Sequence, residues 1–165
     1  MRRIPDPGFA DDAGGVDPEL VNALAAYDAA PERLHHQTLA VLQDARLLVP
    51  VMAVLGEVEY DDQGLAHDKT SDMSTVLMRG QDGRLALLAF TSTESLHLWN
   101  SQARPVPVPA AKAAEAAVHD NATAMVIDVA GPVMFVVEED DLRPLAQGYT
   151  LVQLDDRFAW AKPQD

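Results

Sequence analysis

Five polar residues punctuate an otherwise apolar stretch between positions 69 and 104: Lys69, Asp72, Thr91, Ser92 and Arg104. Each flanks the end of a predicted strand or helix, so the five can converge on one rim of a sheet. Arg104 is the strongest candidate for holding a ligand, because its planar fork suits a carboxylate or a phosphate. Ser92, at a predicted helix start, can join such an anion site through the helix N-terminus. The competing reading is structural: Arg104 and Asp72 form an ion pair, while Thr91 and Ser92 only cap a helix.

Other chemistry is poorly supported. The chain has no cysteine, which removes disulfides, thiolate metal sites and cysteine nucleophiles. Five histidines are present, His35, His36, His67, His97 and His119, and none stands in H-x-x-x-H or H-E-x-x-H spacing. His35 and His36 are neighbours on a predicted helix, where successive side chains diverge by about 100°. Solvated histidines are therefore expected, and no metal or other cofactor. The acidic pairs, such as Asp140-Asp141, fall at turns and helix starts, where carboxylates cap amides. No nucleophile elbow, phosphate loop or dinucleotide fingerprint occurs. No catalytic residues are assigned.

The composition bounds the class. The 165 residues match about one domain, and 48% hydrophobic content supports a real core. Twelve basic residues against 26 acidic ones give a net charge of −14. Such a surface repels phosphate backbones and anionic membranes, and leaves a protein partner open. No apolar run approaches the roughly 18 residues of a membrane span. The N-terminus has no apolar region of signal-peptide length, so a cytoplasmic protein is expected.

The elements that must position the polar residues follow from pattern. Residues 1 to 16 hold prolines, glycines and acidic residues and read as a flexible leader. Asp17-Pro18 opens a first helix, as an Asp cap followed by Pro at the first helical position, and a second helix starts near Pro31. Residues 46 to 55 form an apolar run covered on both faces, in which Pro50 argues for an edge position or a bulge. Residues 73 to 78 and 84 to 90 read as a hairpin around Gly80-Gln81-Asp82-Gly83. Thr91 with Glu94 fits a capping box for the next helix, which carries Trp99.

Pro105, Pro107 and Pro109 alternate with valines in an extended connector or edge strand, and an alanine-rich helix follows at 110 to 118. Strands at 124 to 129 and 133 to 137 come next, then a short helix that must begin near Asp140 or Asp141 if Pro144 is to be tolerated, and a last hairpin. Tight turns force antiparallel pairing. The prediction is a single α+β domain over residues 17 to 161, with a mixed, mostly antiparallel sheet, helices packed against it and a tail at 162 to 165.

The order of these features resembles a family. Lys-Thr-Ser-Asp-Met at 69 to 73, Asp-Gly-Arg at 82 to 84, Ala-Phe-Thr-Ser at 89 to 92, Trp99 and Arg-Pro-Val at 104 to 106 are similar to the SseB N-terminal domain. Leu-Leu-Val-Pro-Val at 47 to 51 and Val-Ile-Asp-Val-Ala-Gly-Pro at 126 to 132 fit the same pattern. The family is named for enhanced serine sensitivity. The resemblance implies a cytoplasmic α+β protein without an assigned catalytic mechanism, and carries no catalytic residues over. The expected function is a non-enzymatic binding or regulatory module acting through a protein partner. The alternative is a binder of an amino acid or carboxylate, or an enzyme of amino-acid metabolism, with Arg104 and Lys69 holding the carboxylate.

Overall fold

The computed structural model describes residues 14–52 and 74–163. Among them are five helices and nine strands in an α+β arrangement. Helices α1 (Pro18–Ala29) and α2 (Pro31–Leu42) form an N-terminal pair hinged at Ala30, which ends one and starts the other. Asp17 caps α1 as its sequence predicts: its carboxylate accepts from the Glu19 amide at 3.0 Å, with Pro18 next in line.

The sheet is mixed. Strand β1 (Arg46–Met52) lies between β2 (Ser74–Thr75) and β5 (Arg104–Pro109), antiparallel to both. Strands β3 (Leu77–Arg79), β4 (Leu85–Ala89), β6 (Ala124–Ile127) and β7 (Phe135–Glu138) follow in that spatial order, with only β4–β6 parallel. A bridge between Leu48 and Phe90 joins the two sets of strands, with reciprocal backbone hydrogen bonds of 2.7 and 2.8 Å. The segment from Ser74 to Arg79 pairs first with β1 and then with β4, which is why the expected single strand splits in two.

Pro50 sits within β1, an internal strand, rather than at an edge. Successive residues of a strand turn their backbone groups to opposite sides. The Leu48 amide points to Phe90, so the Pro50 nitrogen points to that side too, at a step where β2 has not yet begun to pair. The missing donor has no acceptor to leave empty. On the other side of β1, the pairs Leu48–Pro107 and Pro50–Pro105 put the prolines of β5 at positions whose nitrogens face away from β1. The intervening Arg104, Val106 and Val108 keep their amides for the ladder. Among the described residues, β5 is thus an edge strand whose outer side offers carbonyls and almost no donors.

Burial alternates with period two along the inner strands. Leu47, Val49, Leu87, Ala89, Met125 and Ile127 enter one core, closed by α1, α2, α4 (Ala110–His119) and α5 (Glu139–Ala146). Leu48, Ala86, Leu88, Phe90, Ala124 and Val126 enter a second core on the opposite face, closed by α3 (Thr93–Trp99) and the half-buried Trp99. Leu77, Leu85 and Trp99 are only partly buried against these cores, whereas Phe135 and Val51 are buried. Helix α4 lays Ala110, Ala113, Ala114 and Ala117 on the sheet, a small-residue face that permits close approach.

Helix α5 begins at Glu139, earlier than Pro144 led one to expect. Pro144 therefore falls in its second turn, and one hydrogen bond, to the Asp140 carbonyl, is absent. The final hairpin, β8 (Thr150–Leu154) and β9 (Arg157–Ala161), is held to α2 by Gln43. Its side chain accepts from the Leu151 amide at 2.7 Å and donates to the Leu151 carbonyl at 2.9 Å, as a neighbouring strand would.

The start of the described chain is tied down as well. The Thr93 amide donates to the Gly14 carbonyl at 2.8 Å, and the Arg46 guanidinium donates to the Gly15 carbonyl. Gly14 and Gly15 thus contribute backbone acceptors to the fold, although they fall within the stretch read as a leader. Residues 1–13 of that leader lie outside the described residues.

Leu87 is fully buried in the larger core, so Leu87→Ala is expected to cost about 2–5 kcal/mol in a urea denaturation, with unchanged m-value. The Arg104 side chain is exposed and has no hydrogen bond or ion pair among the described residues, so Arg104→Ala is expected to cost under about 1 kcal/mol.

Candidate functional site: an apolar cleft with a buried Thr91–Asp128 clamp

Strands β4 and β6 run parallel with Ala89 opposite Ile127, so both chains leave the sheet at the same end. Thr91 and Asp128 meet just beyond it. The Asp128 carboxylate accepts from the Thr91 amide at 2.9 Å with one oxygen and from the Thr91 hydroxyl at 2.7 Å with the other. Asp128 adopts φ = +55°, a left-handed conformation that Asp tolerates better than most residues. That conformation turns the chain toward Gly131, whose amide donates to the Asp128 carbonyl at 2.9 Å.

Asp128 is 1% exposed. Burial raises its pKa above the ordinary carboxylate value, opposed by the hydrogen bonds from Thr91 and Ser95. From the other side, Arg46 donates to the Thr91 carbonyl at 2.9 Å. The arginine that serves this site is therefore Arg46, at the start of β1. Arg104 pairs with Val51, five residue steps along β1, or about 17 Å at the usual rise per residue.

Helix α3 starts here. Its cap is Ser92, with Ser95 as the partner, where the sequence pattern had pointed to Thr91 with Glu94. The Ser95 amide donates to the Ser92 hydroxyl at 3.0 Å, and the Ser92 amide donates to the Ser95 hydroxyl at 3.2 Å. The shift by one residue has a clear cause: Thr91 is committed to Asp128, and a second serine three residues after Ser92 closes the box as Glu would.

A cleft of about 520 Å³ opens over this polar corner. Val21, Leu24 and Ala25 of α1 form one wall, and Leu98 of α3 forms the other. Val16, Pro132 and Val133 complete the apolar lining, and Thr91, Ser92, Ser95 and Asp128 lie at its polar end with Glu94 beside them. Leu98 is 62% exposed, and Val16 and Val21 are exposed too, so the rim is apolar as well. Among the described residues, no Lys, Arg or His lines the cleft.

Of the five residues singled out from the sequence, the structure brings Thr91 and Ser92 together. Arg104 stands apart from them, and Lys69 and Asp72 lie outside the described residues. Pattern reading passed over Asp128 and Arg46. An Asp directly after an apolar run and before Gly131-Pro132 was the available signal for the first. The hydroxyls of Thr91, Ser92 and Ser95 all have hydrogen-bond partners, and the carboxylate of Asp128 is occupied on both oxygens. Among the described residues, no imidazole lies beside them.

The model of the SseB protein N-terminal domain matches residues 20–144, well over half of the chain. The chain belongs to the SseB family. The matched span of this SseB-family protein includes the second core, all of the larger core but Leu145 and Leu151, the Thr91–Asp128 clamp and most of α5, and leaves the β8–β9 hairpin outside. No curated protein and no solved structure matches the chain. Among the described residues, no helix is long and apolar enough to cross a membrane.

The raised pKa of Asp128 sets a pH dependence. The folded pKa lies above the unfolded one, so folding favours the protonated form. The contribution of this group is greatest below the ordinary carboxylate pKa and is lost as pH rises through the raised value. Asp128→Asn keeps one acceptor and tolerates the left-handed backbone. It is expected to be as stable as the parent or more so at neutral pH, and its advantage should shrink as pH falls toward the acid range. Asp128→Ala strands two donors of Thr91 and should cost about 1–3 kcal/mol at neutral pH. Urea denaturation across pH measures both.

Proposed function

We propose that this SseB-family protein is a non-enzymatic cytoplasmic binding module that acts through a protein partner, taking apolar side chains of that partner into the cleft between α1 and α3. The observation that carries this reading is the combination of an apolar lining with an exposed apolar rim at Val16, Val21 and Leu98. Exposed apolar surface around a concave site is typical of protein docking sites, where a few anchors supply most of the affinity. The engaged state of every hydroxyl at the polar end supports binding over catalysis. The net charge of −14, with Glu94 at the rim, favours a partner segment with basic residues beside its apolar ones.

The reading as a carboxylate or amino-acid binder draws no support from the described residues of the cleft, none of which is a cation. Amino acids and small carboxylates at 100 times a meaningful Kd would raise stability by about 2.7 kcal/mol, and no such rise is expected.

Leu98→Asp places a charge on the rim at an exposed position, where a substitution changes stability by no more than about 0.5 kcal/mol. A partner captured stoichiometrically by the parent chain is expected to be lost by the Leu98→Asp chain at unchanged melting temperature. Equal capture by both chains would remove the cleft from the interaction.

A further inference from the structure

His35 and His36 are successive residues of α2, and Asp141 lies in the first turn of α5. The divergence expected of neighbouring helical side chains does not keep them apart, because packing redirects both rings. The His35 ring stacks on Phe135 with centroids 4.8 Å apart and planes 20° from parallel. The His36 ring stands edge-on to His35 at 5.1 Å and lies along Phe158 at 6.1 Å. Both rings then direct Nε2 to one atom. His35 Nε2 is 3.7 Å and His36 Nε2 is 3.5 Å from Asp141 Oδ2.

Those separations exceed a hydrogen bond, which spans about 2.7–3.2 Å. They come close to the spacing of neighbouring ligand atoms around a shared ion: tetrahedral bonds of about 2.0–2.1 Å put the donors ~3.3 Å apart. One ligand atom from each of the three residues lies within 4.8 Å of the other two.

The carboxylate is also positioned. Trp160 of β9 donates its indole N–H to Asp141 Oδ1 at 3.0 Å, which fixes the carboxylate plane and leaves Oδ2 facing the imidazoles. Asp141 is not the helix cap that its sequence position suggests; the cap is Glu138, without a side-chain bond. His35 is partly buried and its pKa is lowered, first by desolvation and then by His36, against the pull of Asp141. His36 is half-exposed, so the group opens to solvent on one side.

We propose that His35, His36 and Asp141 form a binding site for one divalent first-row transition-metal ion, with zinc as the first candidate. Two imidazoles and a carboxylate suit zinc, copper or nickel, and do not suit magnesium or calcium, which take oxygen ligands. Three protein ligands leave a coordination position for water or for a donor atom from outside. Trp160 acts as a positioning residue that holds the carboxylate ligand. The bound ion would tie α2 to α5, and through Trp160 to the final hairpin. The site is separate from the cleft, so its fate does not depend on the function proposed above.

Zinc titrated into the metal-stripped full chain, followed by calorimetry and thermal unfolding, tests the site. One ion per chain and a higher melting temperature are expected. His36→Ala and Asp141→Asn are each expected to weaken binding by about 10–100-fold or more, and Trp160→Phe by about 10-fold. His97→Ala, at an exposed position elsewhere, should change nothing. A readout on the parent chain alone covers the case in which a variant fails to fold: zinc should shift the imidazole NMR signals of only two of the five histidines. No zinc binding by the parent, shifts spread over other histidines, or undiminished binding by folded His36→Ala and Asp141→Asn would overturn the proposal.

Discussion

Strands β4 and β6 have no face to give to water. Their residues alternate between two apolar cores, and every residue of β6 is buried. That constraint requires cover on both sides, and the rest of the chain supplies it unequally. Four helices close the larger core, while one short helix and Trp99 close the smaller. The parallel pairing of β4 with β6 follows from the same demand. The chain must travel from one strand to the other through α3, β5 and α4, and on the way it covers both faces and lends β1 its outer neighbour. The strand ends then coincide, and the Thr91–Asp128 clamp fastens them where the sheet stops.

Much of this was legible from sequence because it rests on local rules. Asp17-Pro18, the turn at Gly80–Gly83 and the alanine face of α4 carry their geometry in residue type and spacing. Gly83, for instance, takes the left-handed φ of +84° that its turn requires. The long-range features were less accessible. Nothing local joins Asp128 to Thr91, 37 residues earlier, or Gln43 to Leu151, 108 residues later. The capping box moved by one residue because a tertiary bond claimed Thr91 first. His35 and His36 diverge by the helical rule and converge in the fold because Phe135 and Phe158 set the planes of their rings.

The candidate cleft shows the same division. Ser92 and Thr91 drew notice as hydroxyls at a strand-to-helix boundary, and they do mark its polar end. The apolar walls carry the site's character, and in sequence Val21 and Leu98 look like ordinary core residues. Their exposure depends on how α1 and α3 approach each other, which no pattern within either helix records. Arg104 drew attention because a guanidinium is conspicuous. The guanidinium in contact with Thr91 belongs to Arg46, which opens an apolar strand and reads there as a boundary residue.

The proline row of β5 reaches beyond the sheet that contains it. Pro105, Pro107 and Pro109 occupy the positions whose nitrogens face outward, so the open edge presents acceptors without matching donors. An incoming strand, from another copy or from an extended peptide, would find half of its ladder missing there. At this edge the prolines thereby hinder one of the commonest routes by which exposed sheets recruit other chains, including the route that leads to fibres. Association at that side is left to side chains, and main-chain pairing is disfavoured by the residues that build the edge.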